Sequence, residues 1–474
     1  MIDESVLYLP VRQLAERIRT RRLSPVELAE SYLARSERWN PRLNAYATLT
    51  RERAIEQARA AEKEIAAGNY RGPLHGIPYA AKDLLAAKGY PTTWGAPPYA
   101  DQRFDYDAAV IERLHRAGAV LIGKAAMIEL AGGLGYESGY ASLTGPCRNP
   151  WNTKYWTCGS SSGSGAIVAA GLAAFALGSD TRGSIICPAT HCGISGMRPS
   201  FGRVSRYGAM AIAWSMDKIG PMCRTADDCG LVLEAMAGHD ARDHCSLPQP
   251  RAAFAYQSTQ THGRPLRIAR LTNVFPHADR ELHDAADRAL RVLEQHGAQV
   301  SDAEIPQGPF EEAAELVILM EAASAFSDTI DSGRAARLAD PLGRINGYAS
   351  REFSAQDYLQ VQRVRLLLQE SIDRLFDRFD VIAAPGEGDT ADELQPAKGQ
   401  SDSDEGGPAD SLQPDAISSL CGLPAVTVPC GFDKNGMPVG VQFMARALDD
   451  QAVLSAANLL QAHTDWHSRH PALT

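Results

Sequence analysis

Two stretches concentrate side chains able to do chemistry. In the first, Gly159-Ser160-Ser161-Ser162-Gly163-Ser164-Gly165, hydroxyls sit between glycines, so one loop can gather several Oγ atoms and backbone amides at a point. The second, Gly178-Ser179-Asp180-Thr181-Arg182-Gly183-Ser184, repeats the theme, and Ser160 and Ser184 are 24 residues apart. Between them Ala166–Leu177 is small and apolar, which predicts one buried helix with a serine-bearing turn at each end. It is far too short to cross a bilayer. Upstream, the turn-rich Gly72-Pro73-Leu74-His75-Gly76 leads into the apolar Ile77–Ala81 and then Lys82. A lysine emerging from a buried strand is where desolvation lowers an amine's pKa.

In combination these motifs resemble the amidase signature family. Gly76-Ile77-Pro78-Tyr79-Ala80-Ala81-Lys82-Asp83 matches its Gly-x-Pro-x-x-x-Lys-Asp context, and Cys158–Arg206 matches its Gly/Ser loop and Asp-x-Gly-Gly-Ser turn. Arg198-Pro199, Phe201-Gly202-Arg203 and Trp214–Met222 fit as well. The resemblance implies a Ser–Ser–Lys group, with Ser184 the nucleophile, Ser160 the bridging serine after a cis peptide bond, and Lys82 the base. It also implies an oxyanion hole from the backbone amides of Thr181, Arg182, Gly183 and Ser184, and a substrate-facing loop at Gly133, Leu134, Gly135 and Tyr136. No cofactor and no metal belong to this scheme. Asp83 and Asp180 read as hydrogen-bonding scaffold for the loops.

Amide hydrolysis needs a nucleophile, a group that takes and returns its proton, and donors for the tetrahedral oxyanion. For Lys82 to serve it must be neutral, a drop of roughly 3 units from about 10.4. Taken singly, a Gly/Ser loop is usually only a loop and a lysine after a strand usually a solvated one. Gly159-Ser160-Ser161-Ser162-Gly163 also satisfies G-x-S-x-G, but Arg148–Thr157 is poor strand material and His191 is too near to complete a hydrolase triad. A phosphate loop lacks its G-K-[ST] ending, and Val168 stands at the last glycine of G-x-G-x-x-G. His463, His467 and His470 have neither HExxH spacing nor a carboxylate partner.

Departures from the family pattern bear on substrate. Arg182 stands at a usual glycine, where its side chain either leaves to pair with a carboxylate or adds positive charge beside the oxyanion. Ile186-Cys187 replace polar groups, which points to small, fairly apolar amides or carbamates, including aryl amides and urethanes. The alternative is the glutaminase (A) subunit of a tRNA-dependent amidotransferase, which needs an anchor for the glutamine carboxylate; Arg365 either serves there or is an exposed helix residue. A second alternative is a non-catalytic protein on the same fold.

Positioning these groups requires a scaffold. Composition fits a globular enzyme of 474 residues with 45% hydrophobic and 22% charged side chains. The net charge of −10 argues against nucleic acid or an anionic membrane as partner. A small-molecule substrate is the expected partner, and a homodimer stays open. The first residues lack the marks of a secretory signal, so a cytoplasmic location is the default expectation. Nine scattered cysteines without C-x-x-C pairs predict free thiols, with Cys158 and Cys187 as small packing groups flanking the site.

Ser24-Pro25-Val26-Glu27 predicts a capped helix to about Arg38, and 52–67 another. Helix over 107–116 and strand over 119–122 suggest a doubly wound αβ pattern. Further expectations are a helix near 227–238, a strand at 266–270, long helices at 281–295 and 356–378, and a closing hairpin (423–431, 438–444) with a last helix around 451–463. The resemblance implies an α/β amidase signature fold, a mixed central β-sheet covered by helices on both faces, in one domain over 1–474. Its substrate-selecting region would be about 238–380. The acidic, Ser/Gly/Pro-bearing tract 387–410 reads as a mobile loop.

Overall fold

A computed structural model describes residues 2–258, 264–275, 278, 280–395 and 414–473. After α1 (Val11–Arg19), α2 (Pro25–Leu43) begins where the capping signal put it, with Ser24 Oγ accepting from the amides of Val26 and Glu27 at 3.1 Å each. It runs past the expected end at Arg38 and stops at Asn44, in the left-handed conformation. Next come β1 (Tyr46–Leu49), α3 (Arg51–Ala66), β2 (Pro78–Lys82), α4 (Ala109–Arg116) and β3 (Val120–Ala125). β2 runs parallel to β3, and every residue of both strands is buried. That is why Ile77–Ala81 reads as a continuous apolar run without alternation.

The signature stretch departs from its expected form. Ala166–Leu177 is not one helix: α5 (Ser162–Ala169) ends, the chain turns at Gly171 with φ +64°, and β4 (Phe175–Asp180) leads back. Gly171 supplies a left-handed turn without steric cost, and the apolar residues beyond it fill a strand parallel to β2. Ser160 therefore precedes a helix and Ser184 follows a strand. The helix α6 (Ile186–Cys192) then leads to β5 (Ser195–Arg198), β6 (Lys218–Cys223) and α7 (Ala226–Met236).

The remaining elements are β7 (Arg267–Leu271), α8 (Arg280–Gln295), β8 (Gln299–Ala303), α9 (Phe310–Ala325), α10 (Ser327–Asp331), α11 (Pro341–Ala349) and α12 (Ala355–Leu375). After them come β9 (Val381–Pro385), α13 (Pro414–Leu420), the antiparallel pair β10 (Ala425–Phe432) and β11 (Pro438–Ala445), and α14 (Asp450–Ala462). Among the described residues eleven strands form one mixed sheet, in the order β1-β3-β2-β4-β6-β5-β10-β11-β9-β7-β8, flanked by helices. One core cluster gathers around β2, β3 and β4; a second, with Phe310, Leu368 and Ile417, lies beneath α9, α12 and α13. No helix among the described residues is long and apolar enough to cross a membrane. Of the tract 387–410, residues 396–410 lie outside the described residues. Its first part is tied down, since the Trp156 amide donates to Asp392 O and the Leu394 amide to Lys154 O, each at 2.8 Å.

Candidate active site

Lys82 is the last residue of β2 and is fully buried. Its Nζ donates to three hydroxyls: Ser160 Oγ at 2.7 Å, Ser179 Oγ at 2.9 Å and Ser161 Oγ at 3.0 Å. Among the described residues no carboxylate makes an ion pair with it. Burial therefore dominates and pushes its pKa down to about 7, against the weaker pull of Asp180 and Asp217. The lysine is poised between amine and ammonium near neutrality.

The serine loop reaches Lys82 through unusual backbone. Cys158 has φ +64°, and the Gly159–Ser160 peptide is cis, as the resemblance implies. Gly163 is required, because a Cβ there would come within 2.2 Å of Ala45 O and 2.5 Å of Ala126 N. The Ser161 amide donates to Ser184 O at 3.2 Å, which binds this loop to the turn carrying Ser184. Lys82 and Ser160 are thus in direct contact, and the backbone of Ser184 lies beside the loop that carries Ser160, with Ser184 itself partly exposed.

Asp180 builds that turn. Its carboxylate accepts from the amides of Gly183 (2.9 Å) and Ile185 (2.8 Å) and pairs with buried Arg198 at 3.2 Å. Burial alone would raise its pKa, but Arg198, Lys218 and the turn amides outweigh burial and lower it. One expectation changes as a result. The Gly183 amide, one of the four expected to meet an oxyanion, donates to Asp180. Arg182 itself swings away to pair with Glu315 at 2.9 Å. Asp217 supports the turn from the other side, accepting from Thr181 Oγ1 at 2.7 Å and from the Ile212 amide at 2.8 Å.

The loop expected near substrate divides. Leu134 belongs to the hydrophobic core, Gly133 packs against Ile212 and Phe326, and Gly135 lies under Leu342 and Asn346 of α11. Tyr136 stands edge-on to Trp156 and close enough to Arg182 and Glu387 for their charges to act on its hydroxyl, whose pKa burial pushes up to about 12. Arg365 is half-buried, not exposed, and each of its guanidinium nitrogens donates within the chain: to Leu420 O (2.7 Å), Ser215 Oγ (2.9 Å) and Ser215 O (2.9 Å). The sequence reading missed Ser161 and Ser179 as partners of Lys82, although both lie in the hydroxyl-rich turns it singled out. It also missed Glu387, where burial drives the carboxyl pKa well above the usual range.

The cysteine expectation is corrected at one pair. Cys158 and Cys187 form a disulfide, with Cα atoms 5.9 Å apart, across 29 residues. The return of the chain along β4 brings them together, which no C-x-x-C spacing could announce. The remaining seven cysteines are free, and six of them are buried.

Comparison with known proteins agrees with this geometry. The family model for Amidase matches residues 27–454. The A chain of the glutamyl-tRNA(Gln) amidotransferase of Cupriavidus necator is 36% identical over 500 residues, covering 97% of each protein. Among solved structures, the peptide amidase of Stenotrophomonas maltophilia superimposes with TM-score 0.83 at 29% identity, over 98% of each chain. A bacterial aryl acylamidase of the amidase signature enzymes gives TM-score 0.85 at 25% identity, over 97% of each. With a family-model match over residues 27–454 and a relative 36% identical over 97% of each protein, the chain belongs to the amidase signature family of amide-cleaving enzymes.

Proposed function

We propose that the chain cleaves amide C–N bonds through an acyl-enzyme on Ser184. The observation that carries this is the 2.7 Å contact between Ser160 Oγ and a lysine whose pKa is about 7. Neutral Lys82 takes the proton of Ser184 by way of Ser160 as Ser184 Oγ attacks the carbonyl. The negative oxygen is met by the amides of Thr181, Arg182 and Ser184. Ser160 then hands the proton to the departing nitrogen, and the same relay run with water frees the acid and restores Ser184.

Two readings of the substrate follow. The relatives favour glutamine, with the chain as the glutaminase component of an amidotransferase, since the match to such components spans both proteins almost completely. Exposed Leu359, Leu366 and Leu367 on α12 support a partner protein. The second reading is a stand-alone hydrolase of small apolar amides or carbamates. It rests on Arg365, each of whose three guanidinium nitrogens already donates within the chain, and on apolar Ile186 and the bridged Cys187 beside Ser184. A panel of glutamine, a p-nitroanilide and a nitrophenyl carbamate, assayed with and without a co-expressed partner protein, separates the two. Ammonia from glutamine only with the partner selects the first; turnover of the anilide or carbamate by the chain alone selects the second. Undiminished turnover by Ser184→Ala on every substrate would remove the nucleophile assignment altogether.

A further inference from the structure

The bridge between Cys158 and Cys187 has a third neighbour. His191 lies one helical turn after Cys187 on α6, with Nδ1 3.9 Å from Cys187 Sγ. The ligand atoms of Cys158, Cys187 and His191 all fall within 4.8 Å of one another. His191 is 3% exposed, and among the described residues its Nε2 has no hydrogen-bond partner. The nearest acid to it is Asp389, whose Oδ1 is 3.6 Å from Nε2. A carboxylate facing one ring nitrogen at 3.6 Å, just beyond hydrogen-bond distance, with sulfur facing the other, is close to the outer arrangement of a metal-binding histidine. Tetrahedral zinc, with Zn–S about 2.3 Å and Zn–N about 2.0–2.1 Å, sets sulfur and nitrogen about 3.6 Å apart. The observed 3.9 Å needs little adjustment.

We propose that Cys158, Cys187 and His191 form a thiol-gated site for a soft divalent cation such as Zn²⁺, closed while the sulfurs are bonded and opened by reduction. Two thiol groups of a reductant supply the two electrons: the S–S bond breaks, each cysteine sulfur gains a hydrogen, and the reductant leaves as its own disulfide. Zn²⁺ then displaces the two thiol protons to solvent and binds both thiolates and His191 Nδ1, leaving a fourth position for water. Both cysteines are partly exposed, so a reductant and an ion can reach them. One bridged pair beside seven free cysteines is the pattern of a single exchangeable bond, not of a disulfide framework. The site also has a structural role. Cys158 directly precedes the Gly159–Ser160 peptide and Cys187 is the third residue after Ser184, so the ion would replace the disulfide as the link between the two serine loops.

The test uses the full chain, treated with dithiothreitol and freed of reductant under argon, then titrated with Zn²⁺ against a chromophoric chelator. One Zn²⁺ per reduced chain is expected, and none above background for the oxidised chain. The ion should raise the Tm of the reduced protein only. Loading with Co²⁺ should give sulfur-to-metal charge-transfer absorption. Cys158→Ser and His191→Ala should each weaken binding at least about 100-fold, and Asp389→Asn about 10-fold. Cys245→Ser, at a partly exposed free cysteine, should bind as the parent does. A bridge that resists dithiothreitol in the folded protein overturns the proposal. So does a reduced chain that takes up no zinc, or equal binding by His191→Ala with an unchanged circular dichroism spectrum. Should Cys158→Ser fail to fold, the His191 variant and the cobalt spectrum decide.

Discussion

Two buried lysines near the ends of neighbouring parallel strands do opposite work. Lys82 and Lys124 face adjacent steps of the β2–β3 ladder, and both are wholly inaccessible. Lys124 pairs with Asp83 at 2.8 Å and donates to Thr92 Oγ1 at 2.9 Å. Burial lowers its pKa too, but Asp83 opposes the change, so the group is one half of a buried ion pair. Lys82 meets three hydroxyls and the Ser179 carbonyl, with no carboxylate paired to it among the described residues, and burial takes its pKa to about 7. Lys218 is a third case: burial and the positive charge of Arg198 take it to about 7 against the pull of Asp180 and Asp217, and its Nζ has no hydrogen-bond partner among the described residues. The partner decides the outcome. A paired carboxylate opposes the drop that burial alone gives a lysine's pKa.

Exchanging these environments by mutation should break the comparison if it is wrong. The largest effect belongs to Lys82→Met, expected to cost about 10²–10⁴-fold in kcat/KM as a lost proton-transfer group, with little change in Tm. Lys124→Met should do the reverse: about 3–5 kcal/mol of stability lost, because Asp83 is left buried and unpaired, with the pH profile of surviving activity unchanged. Chemical denaturation of both variants checks the pair of claims, and equal stability losses would erase the distinction.

The pH profile sharpens it further. In the proposed mechanism Lys82 acts as the free amine, so kcat/KM should rise with slope one as pH approaches about 7 and level off above it. Ser179→Ala removes one acceptor from the ammonium form, so the limb should move to lower pH; movement upward would contradict the hydroxyl cage. The smallest effect is expected for Arg182→Ala. Its partly exposed pair with Glu315 should contribute below about 1 kcal/mol, measurable as a small Tm shift that fades with added salt.

Much of the scaffold was legible because its signals are local. Ser24 with Pro25, the apolar run into Lys82 and the β10–β11 hairpin are stated by neighbouring residues. Errors arose where the deciding contact is distant. Ala166–Leu177 has the composition of a buried helix, yet Gly171 ends α5 and β2 recruits the rest as strand β4. Arg365 carries no sequence mark of its bonds to Ser215 and Leu420, which come from other segments. Glu387 becomes a high-pKa carboxyl only because folding buries it near Asp415.

By itself, then, the sequence determined which chemical groups exist, their order, and the strand ends and glycine turns that present them. Those depend on short-range sterics and local hydrogen bonding. The tertiary structure alone decided which hydroxyls surround Lys82 and that Cys158 meets Cys187. A charge state, a free donor or a sulfur–sulfur bond depends on what is brought within a few ångströms, and here the partners come from segments up to about a hundred residues apart.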